Sequence, residues 1–276
     1  MQCFKPYTGT HNGRSFEAPC GQCVACNISR AREWSLRLLH EKPYWDNTSF
    51  LTLTYDDASL PTFGTLFPYD LVTFFKRLRK KLSLEKRKLK YYACGEYGDL
   101  NGRPHYHSIL FGVNPSEKKL IEESWNQGRI DLGTVTYDSC RYVAQYVDKK
   151  YFGQKKYDTY NMQSKKPPFQ IASQGFGLQF ANENNVQLTQ QLYTTVRGQK
   201  CKIPRYYIKK LKINTEQIHK QSFEYKSEKQ DKLYKSMKLK PGNNVKKYHE
   251  KLKSVQEQSK TELLTKIKLR HDRKKI

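Results

Sequence analysis

Between Lys90 and Phe111 the chain has the pattern of two strands folded back on each other, and this stretch restricts the fold more than any other. Lys90–Gly95 and His105–Phe111 are rich in the aromatic and aliphatic residues that suit a pleated, half-buried surface. The connection, Glu96-Tyr97-Gly98-Asp99-Leu100-Asn101-Gly102-Arg103-Pro104, carries glycines and an Asn-Gly pair, the chemistry of a hairpin turn. Two strands joined in this way are neighbours, and a lone hairpin is marginal in water, so further strands must complete a sheet. Phe50–Tyr55 supplies one, alternating and followed by Asp56 and Asp57, and Arg129–Thr136 another.

Helical spacing fills the intervals. Ser29 is placed to cap a helix carrying Trp34, Leu36, Leu38 and Leu39 and ending at Pro43. From Tyr69 to Leu84, after Pro68, Leu71, Val72, Phe74, Phe75, Leu78 and Leu82 share one side while the other side is basic. A helix from Pro115 to about Asn126, and one capped by Asp138 or Ser139 and running to about Lys150, complete the series. The elements are therefore mixed helix and strand.

The histidines of the hairpin are its chemistry. His105 and His107 stand at i and i+2 on a strand, so both imidazoles leave one face while Tyr106 points into the other layer. Two neutral imidazoles side by side on a rigid strand can clamp one divalent cation. Glu96, across the hairpin, is the natural oxygen ligand to complete the set. Further along, Tyr142 and Tyr146 lie one helical turn apart, with Lys149 three residues on, and Val143 and Val147 form an adjacent stripe suited to docking on a sheet. A phenol attacks phosphorus when the phosphate is polarised and the developing phenolate is stabilised, tasks a cation and an ammonium can share.

Charge points the same way. The 276 residues carry 51 Lys and Arg against 26 Asp and Glu, a formal charge of +25, a field that attracts polyanions. Lys76–Lys81, Lys86–Lys90 and the lysine-rich stretch from Lys209 are candidate phosphate contacts. No run of about 18 apolar residues is present, which argues against a membrane span, and the first thirty residues lack the order of a secretory signal. A cytoplasmic protein is expected.

Glu96, Arg103-Pro104-His105-Tyr106-His107, and then Tyr142, Tyr146 and Lys149, in this order, resemble the HUH endonucleases of rolling-circle replication. With Pro19-Cys20-Gly21-Gln22-Cys23-Val24-Ala25-Cys26, Trp34 and the run Tyr142 to Lys150, the chain is similar to replication initiators of gokushovirus-like microviruses, small single-stranded-DNA phages. The likeness covers about residues 1 to 210, with Phe50 to Asp57 as the first motif, the histidine pair as the second and the paired tyrosines as the third.

The resemblance implies an α+β, HUH endonuclease-like domain, a central antiparallel sheet flanked by helices. It implies that Tyr142 or Tyr146 attacks origin DNA, becoming joined to the 5′ phosphate and freeing a 3′ hydroxyl, and that the second tyrosine later rejoins the strand. It implies Mg2+ or Mn2+ held by Glu96, His105 and His107, with Lys149 steadying the phenolate or phosphate. The implied partners are single-stranded or supercoiled circular DNA at an origin, with a host helicase and polymerase, in the host bacterial cytoplasm.

The seven cysteines, four of them before residue 27, fit a reducing compartment without disulfides. Cys20, Cys23 and Cys26 recur at intervals of three, and Cys3 can add a fourth thiolate: a tetrahedral zinc site, an iron–sulfur cluster and plain packing are all compatible with that spacing. Cys94, Cys140 and Cys201 read as small buried hydrophobes. The expected organisation is a cysteine-rich arm over 1–28, the endonuclease-like domain over 29–208, and a lysine-rich helical or partly disordered tail over 209–276. A non-enzymatic, zinc-stabilised protein that binds or packages nucleic acid would share the charge and the cysteines, and a metal nuclease that activates water would share the histidines; the ordered tyrosine pair distinguishes the expected enzyme from both.

Overall fold

A computed structural model of the chain describes residues 3–11, 13–98, 101–145 and 157–214, isolated positions between 216 and 236, and residues 245–272. It divides into two units, residues 21–213 and residues 2–20 with 214–276. The second contains a hairpin of β1 (Tyr7–His11) and β2 (Arg14–Ala18), a feature the aperiodic N-terminal sequence did not announce.

The first unit begins with α1 (Val24–Glu41) and continues through β3 (Thr48–Thr54), α2 (Pro68–Leu84), β4 (Lys90–Tyr97) and β5 (Pro104–Phe111). It continues with α3 (Lys118–Trp125), β6 (Ile130–Thr134), α4 (Tyr137–Gln145) and β7 (Phe169–Ala172). Short elements follow: α5 (Leu178–Glu183), α6 (Asn185–Gln191), a hairpin of β8 (Tyr193–Val196) and β9 (Gln199–Lys202), and α7 (Arg205–Lys210). In the second unit, α8 (Val245–Asp272) is a long lysine-rich helix.

The five-stranded sheet has the order β6-β3-β5-β4-β7, and every neighbouring pair is antiparallel. The expected α+β architecture, a central antiparallel sheet flanked by helices, is what the chain forms. β4 and β5 pair as read from the sequence. The edge strand β7 was not anticipated: it is only four residues long, and its pairing with β4 is a contact across 70-odd positions that local pattern does not contain. The first helix starts at Val24 rather than after Ser29, because its first turns are buried, Ala25 and Asn27 at 1% and 2% exposure, and burial outweighs the capping preference of one serine.

Alternation along the strands divides the core between the two faces of the sheet. On one face Leu51, Leu53, Ala93, Tyr106 and Leu110 meet Leu71, Phe74, Phe75, Leu78 and Leu82 of α2, with Ile121 and Trp125 of α3. On the other Tyr92, Cys94, Ile109 and Phe111 meet Leu38 of α1, Cys140 and Val143 of α4, and Phe176. Each large side chain so buried contributes roughly 1.5–3 kcal/mol.

The C-terminal end of α1 ties this second layer together through buried polar groups. The Glu41 carboxylate, nearly inaccessible, accepts from Lys90 Nζ at 2.7 Å, Trp45 Nε1 at 2.8 Å and the Gly177 N–H at 2.8 Å. Gly177 sits at φ 69°, and a Cβ there would lie 1.9 Å from the Tyr207 hydroxyl, so glycine is required both for conformation and for space. Arg37 lies between the Trp34 and Tyr206 rings, 4.1 and 3.9 Å from their centroids, and donates to Phe176 O.

None of the seven cysteines is in a disulfide. Cys94 and Cys140 are buried as expected; Cys201 is only half-buried, because it sits on the two-stranded β8–β9 hairpin rather than in the main sheet.

Candidate active site at the β4–β5 hairpin

Register decides which side chains meet. Glu96 pairs with His105, Cys94 with His107, and on the opposite side of β5 Thr52 pairs with His107 and Thr54 with His105. Glu96, His105, His107 and Thr52 therefore project from the same face, the one covered by α1 and α4. His105 Nε2 lies 2.9 Å and His107 Nε2 3.2 Å from the same Glu96 oxygen, and one ligand atom from each of the three residues falls within 4.8 Å of the others. Glu96 and His107 are buried and His105 is half-buried.

The far nitrogens of both rings are engaged. His105 Nδ1 is 3.1 Å from the Arg103 carbonyl, which only accepts, so Nδ1 carries the proton and a neutral His105 presents a lone pair at Nε2. His107 Nδ1 is 3.0 Å from Thr52 Oγ1, which orients that ring in the same sense. One carboxylate oxygen and two imidazole nitrogens then face one another, an arrangement that needs positive charge among them. The donor set fits a divalent cation, and the partners behind the ligands are those that metal-binding histidines commonly have.

The helix that follows β6 brings Tyr142 to this cluster. Its ring centroid is 5.4 Å from that of His107 and 6.1 Å from Phe50, edge-on to both, while Phe50 stacks on His107 at 5.8 Å and 18°. Val143, next along α4, is fully buried against the sheet and fixes the helix there. Tyr146, Val147 and Lys149 lie outside the described residues. Tyr106, between the two histidines, faces the opposite layer: burial pushes its phenol up to about 12, so it stays protonated and takes a structural part.

The sequence reading did not single out Thr52, the residue behind His107. Its only local signal is its position in the alternating Phe50-Leu51-Thr52-Leu53-Thr54 run, on the polar side of the strand.

The family model of the replication-associated protein ORF2 matches residues 48–151, an interval that starts with β3 and includes Glu96, His105, His107, Tyr142, Tyr146 and Lys149. Replication-associated protein ORF2 of Spiroplasma virus 4 is 31% identical over 221 residues, covering 70% of this chain and 67% of that one. The chain belongs to the replication-associated protein family. Within this family, replication-associated protein VP4 of Bdellovibrio phage phiMH2K is 39% identical over 156 residues, 49% of this chain and 49% of its own length. Replication-associated protein ORF4 of Chlamydia phage 1 is 29% identical over 214 residues, 70% of this chain and 53% of its own. The chain thus spans about half to two thirds of the length of the curated relatives it matches. These relatives bear out the resemblance to the replication proteins of gokushovirus-like microviruses. No solved structure matches the chain.

A cysteine cluster near the N-terminus is the other group with metal-ligand chemistry. In the second unit the Cys20 N–H donates to Cys3 Sγ at 3.3 Å; in the first, Cys23 Sγ and Cys26 Sγ are 3.5 Å apart at the start of α1. Among the described residues no helix is long and apolar enough to cross a membrane.

Proposed function

We propose that this protein initiates rolling-circle replication by nicking origin DNA with a tyrosine and later rejoining the strand. The observation that carries the reading is the convergence of Glu96, His105 and His107 on one point beside the ring of Tyr142. Membership of the replication-associated family supports it.

In this reading Glu96 Oε1 and the Nε2 atoms of His105 and His107 hold Mg2+ or Mn2+. A divalent cation there supplies Lewis-acid polarisation of the scissile phosphate. Tyr142 or Tyr146 attacks phosphorus through its phenolic oxygen; the new Tyr–O–P bond forms as the P–O3′ bond breaks, and the proton lost by the phenol balances the one gained by the 3′ hydroxyl. The phosphodiester count is unchanged, so the other tyrosine can reverse the exchange on a new strand without an external energy source. Lys149 stabilises the charge on the attacking phenol or the phosphate.

The substrate is single-stranded or supercoiled circular DNA at an origin, the free 3′ end is handed to a host helicase and polymerase, and the setting is the cytoplasm of a bacterial host. Residues 29–208 form the endonuclease domain and 209–276 a basic tail. The arm over 1–28 folds around a structural zinc held by Cys3, Cys20, Cys23 and Cys26.

The test is incubation of the protein with labelled single-stranded circular DNA carrying the phage origin and Mn2+, followed by denaturing electrophoresis. A DNA–protein band that survives denaturation, needs the metal, and disappears in the Tyr142→Phe, Tyr146→Phe double variant is the expected result. Cleavage without any protein-linked product would replace tyrosine attack with activation of water.

A further inference from the structure

Three aromatic rings stand in solvent within seven positions of the loop between β3 and the start of α2: Phe63 at 72% exposure, Phe67 at 42% and Tyr69 at 65%. Apolar rings of this size normally go inside. Phe63 also has φ 61°, ψ 12°, the left-handed conformation that a bulky L-residue adopts at a cost of about 1–2 kcal/mol. Backbone strain that projects an apolar ring outward returns nothing to the folded state by itself, and it is the kind of cost found where a ring meets a ligand.

The backbone beneath these rings is anchored rather than loose. The Phe67 N–H donates to the Tyr106 hydroxyl at 3.0 Å, and that hydroxyl donates to Phe67 O at 3.1 Å. The Leu66 N–H donates to the Tyr97 hydroxyl at 3.1 Å, and Tyr55 at the other end of the loop shares a 2.8 Å contact with Tyr106. Arg103 donates to Tyr55 O and to Asp57. Tyr106 and Arg103 flank His105 in sequence, and Tyr97 follows Glu96. The loop is therefore fastened to the same end of β4 and β5 that carries the candidate metal ligands, from the opposite side of the sheet.

Cations line this loop. The Lys166 N–H donates to Thr65 Oγ1 at 2.9 Å, and the Lys166 carbonyl accepts from the Tyr97 hydroxyl at 2.7 Å. Lys165 Nζ lies 5.3 Å from the centroid of the Tyr97 ring. Exposed rings interleaved with lysines on a rigid base are complementary to one class of partner, a strand whose bases are unpaired and whose backbone is anionic. A duplex hides its base faces and offers such rings nothing to stack on.

We infer that Phe63, Phe67 and Tyr69, with Lys165 and Lys166 beside them, form a stacking platform for single-stranded DNA at the end of the sheet that holds Glu96 and His105. This rests on the reading of the protein as a DNA strand transferase and adds to it the surface that selects unpaired DNA. The rings supply stacking without sequence preference, and the lysines track the phosphates.

The experiment measures equilibrium binding of the full chain to a fluorescent oligodeoxythymidylate, with a hairpin duplex of equal phosphate number as control. EDTA is present throughout, so that no covalent chemistry enters. Phe63→Ala, Phe67→Ala and Tyr69→Ala are each expected to weaken binding to the oligodeoxythymidylate by about tenfold, with duplex binding changed less than twofold. Phe63→Trp is expected to restore it. Lys165→Gln and Lys166→Gln are expected to lower the salt dependence of binding by about one unit each in log–log slope. Near-ultraviolet circular dichroism verifies that each variant keeps its core.

A folded triple-alanine variant that binds the oligodeoxythymidylate as tightly as the parent overturns the platform, as does an equal loss on single strand and duplex. A variant that keeps its DNA affinity but loses self-association assigns the rings to contact between copies and also overturns it. Adduct formation with Mn2+, read separately on the parent chain, tests the strand-transfer chemistry, so the two readings fail independently.

Discussion

Replacing Thr52 with valine tests the geometry of the candidate metal centre without touching a ligand. Valine keeps the β-branched shape that suits β3, so the sheet is retained, and the substitution removes only the hydroxyl 3.0 Å from His107 Nδ1. His107 is buried, at 6% exposure, so water does not readily replace the lost partner. An unpartnered buried polar group costs about 1–3 kcal/mol, and the imidazole relieves that cost by rotating, which carries Nε2 away from Glu96. Loss of such an orienting partner typically weakens metal binding by about 10- to 100-fold, equivalent to about 1.4–2.7 kcal/mol. The Mn2+ concentration giving half-maximal adduct formation is therefore expected to rise by about that factor in Thr52→Val. The rate at saturating metal should stay near the parent's, and Thr52→Ser should behave like the parent. His105 offers no equivalent variant, because its Nδ1 partner is the main-chain carbonyl of Arg103. An unchanged metal requirement in a folded Thr52→Val protein would refute the claim that Thr52 sets the orientation of His107.

Glu41→Gln is expected to destabilise the first unit by about 2–4 kcal/mol in urea unfolding, since it weakens three hydrogen bonds to one buried carboxylate and leaves Lys90 without its counter-ion. An effect below about 0.5 kcal/mol would make that network dispensable. Burial lowers the pKa of His40, stacked on Phe180 at 3.7 Å, from 6.5 to about 4. The unfolded chain therefore takes up the proton first as pH falls. The contribution of a neutral His40 is complete above about pH 6.5 and is lost towards pH 4, by on the order of 3 kcal/mol, and His40→Gln should show a shallower decline over that window. Purified protein is expected to carry about one zinc, lost when Cys20 and Cys23 are changed to serine; metal analysis of the parent finding none would leave those thiols as packing groups.

The parts of the fold that were legible in the sequence are those set by local periodicity. The alternation of β5 places His105 and His107 on one face and Tyr106 on the other, and the turn chemistry after Glu96 makes β4 and β5 partners. From those two facts the meeting of Glu96 with the histidines follows, because the ligands are within one hairpin. The α4 stripe was also readable, and Val143 docks on the sheet as its spacing implies.

What the sequence did not contain is anything decided by pairing between distant segments. Thr52 stands behind His107 only because β3 runs beside β5, 55 residues away, in a particular register; a slip of one residue would send its hydroxyl to the other layer. Tyr142 lies against His107 rather than merely on an amphipathic helix because α4 packs on that face of the sheet. The start of α1 at Val24, the edge strand β7 and the cage around Glu41 have the same origin, burial against parts of the chain far off in sequence. The exposed rings of the β3–α2 loop read in the sequence as ordinary apolar residues. Only the tertiary structure distinguishes Phe63, held outward by a left-handed backbone, from Leu66, which is buried completely three positions later. Local sequence thus determined which residues share a face, and the packing of the sheet between its helices determined what each face meets.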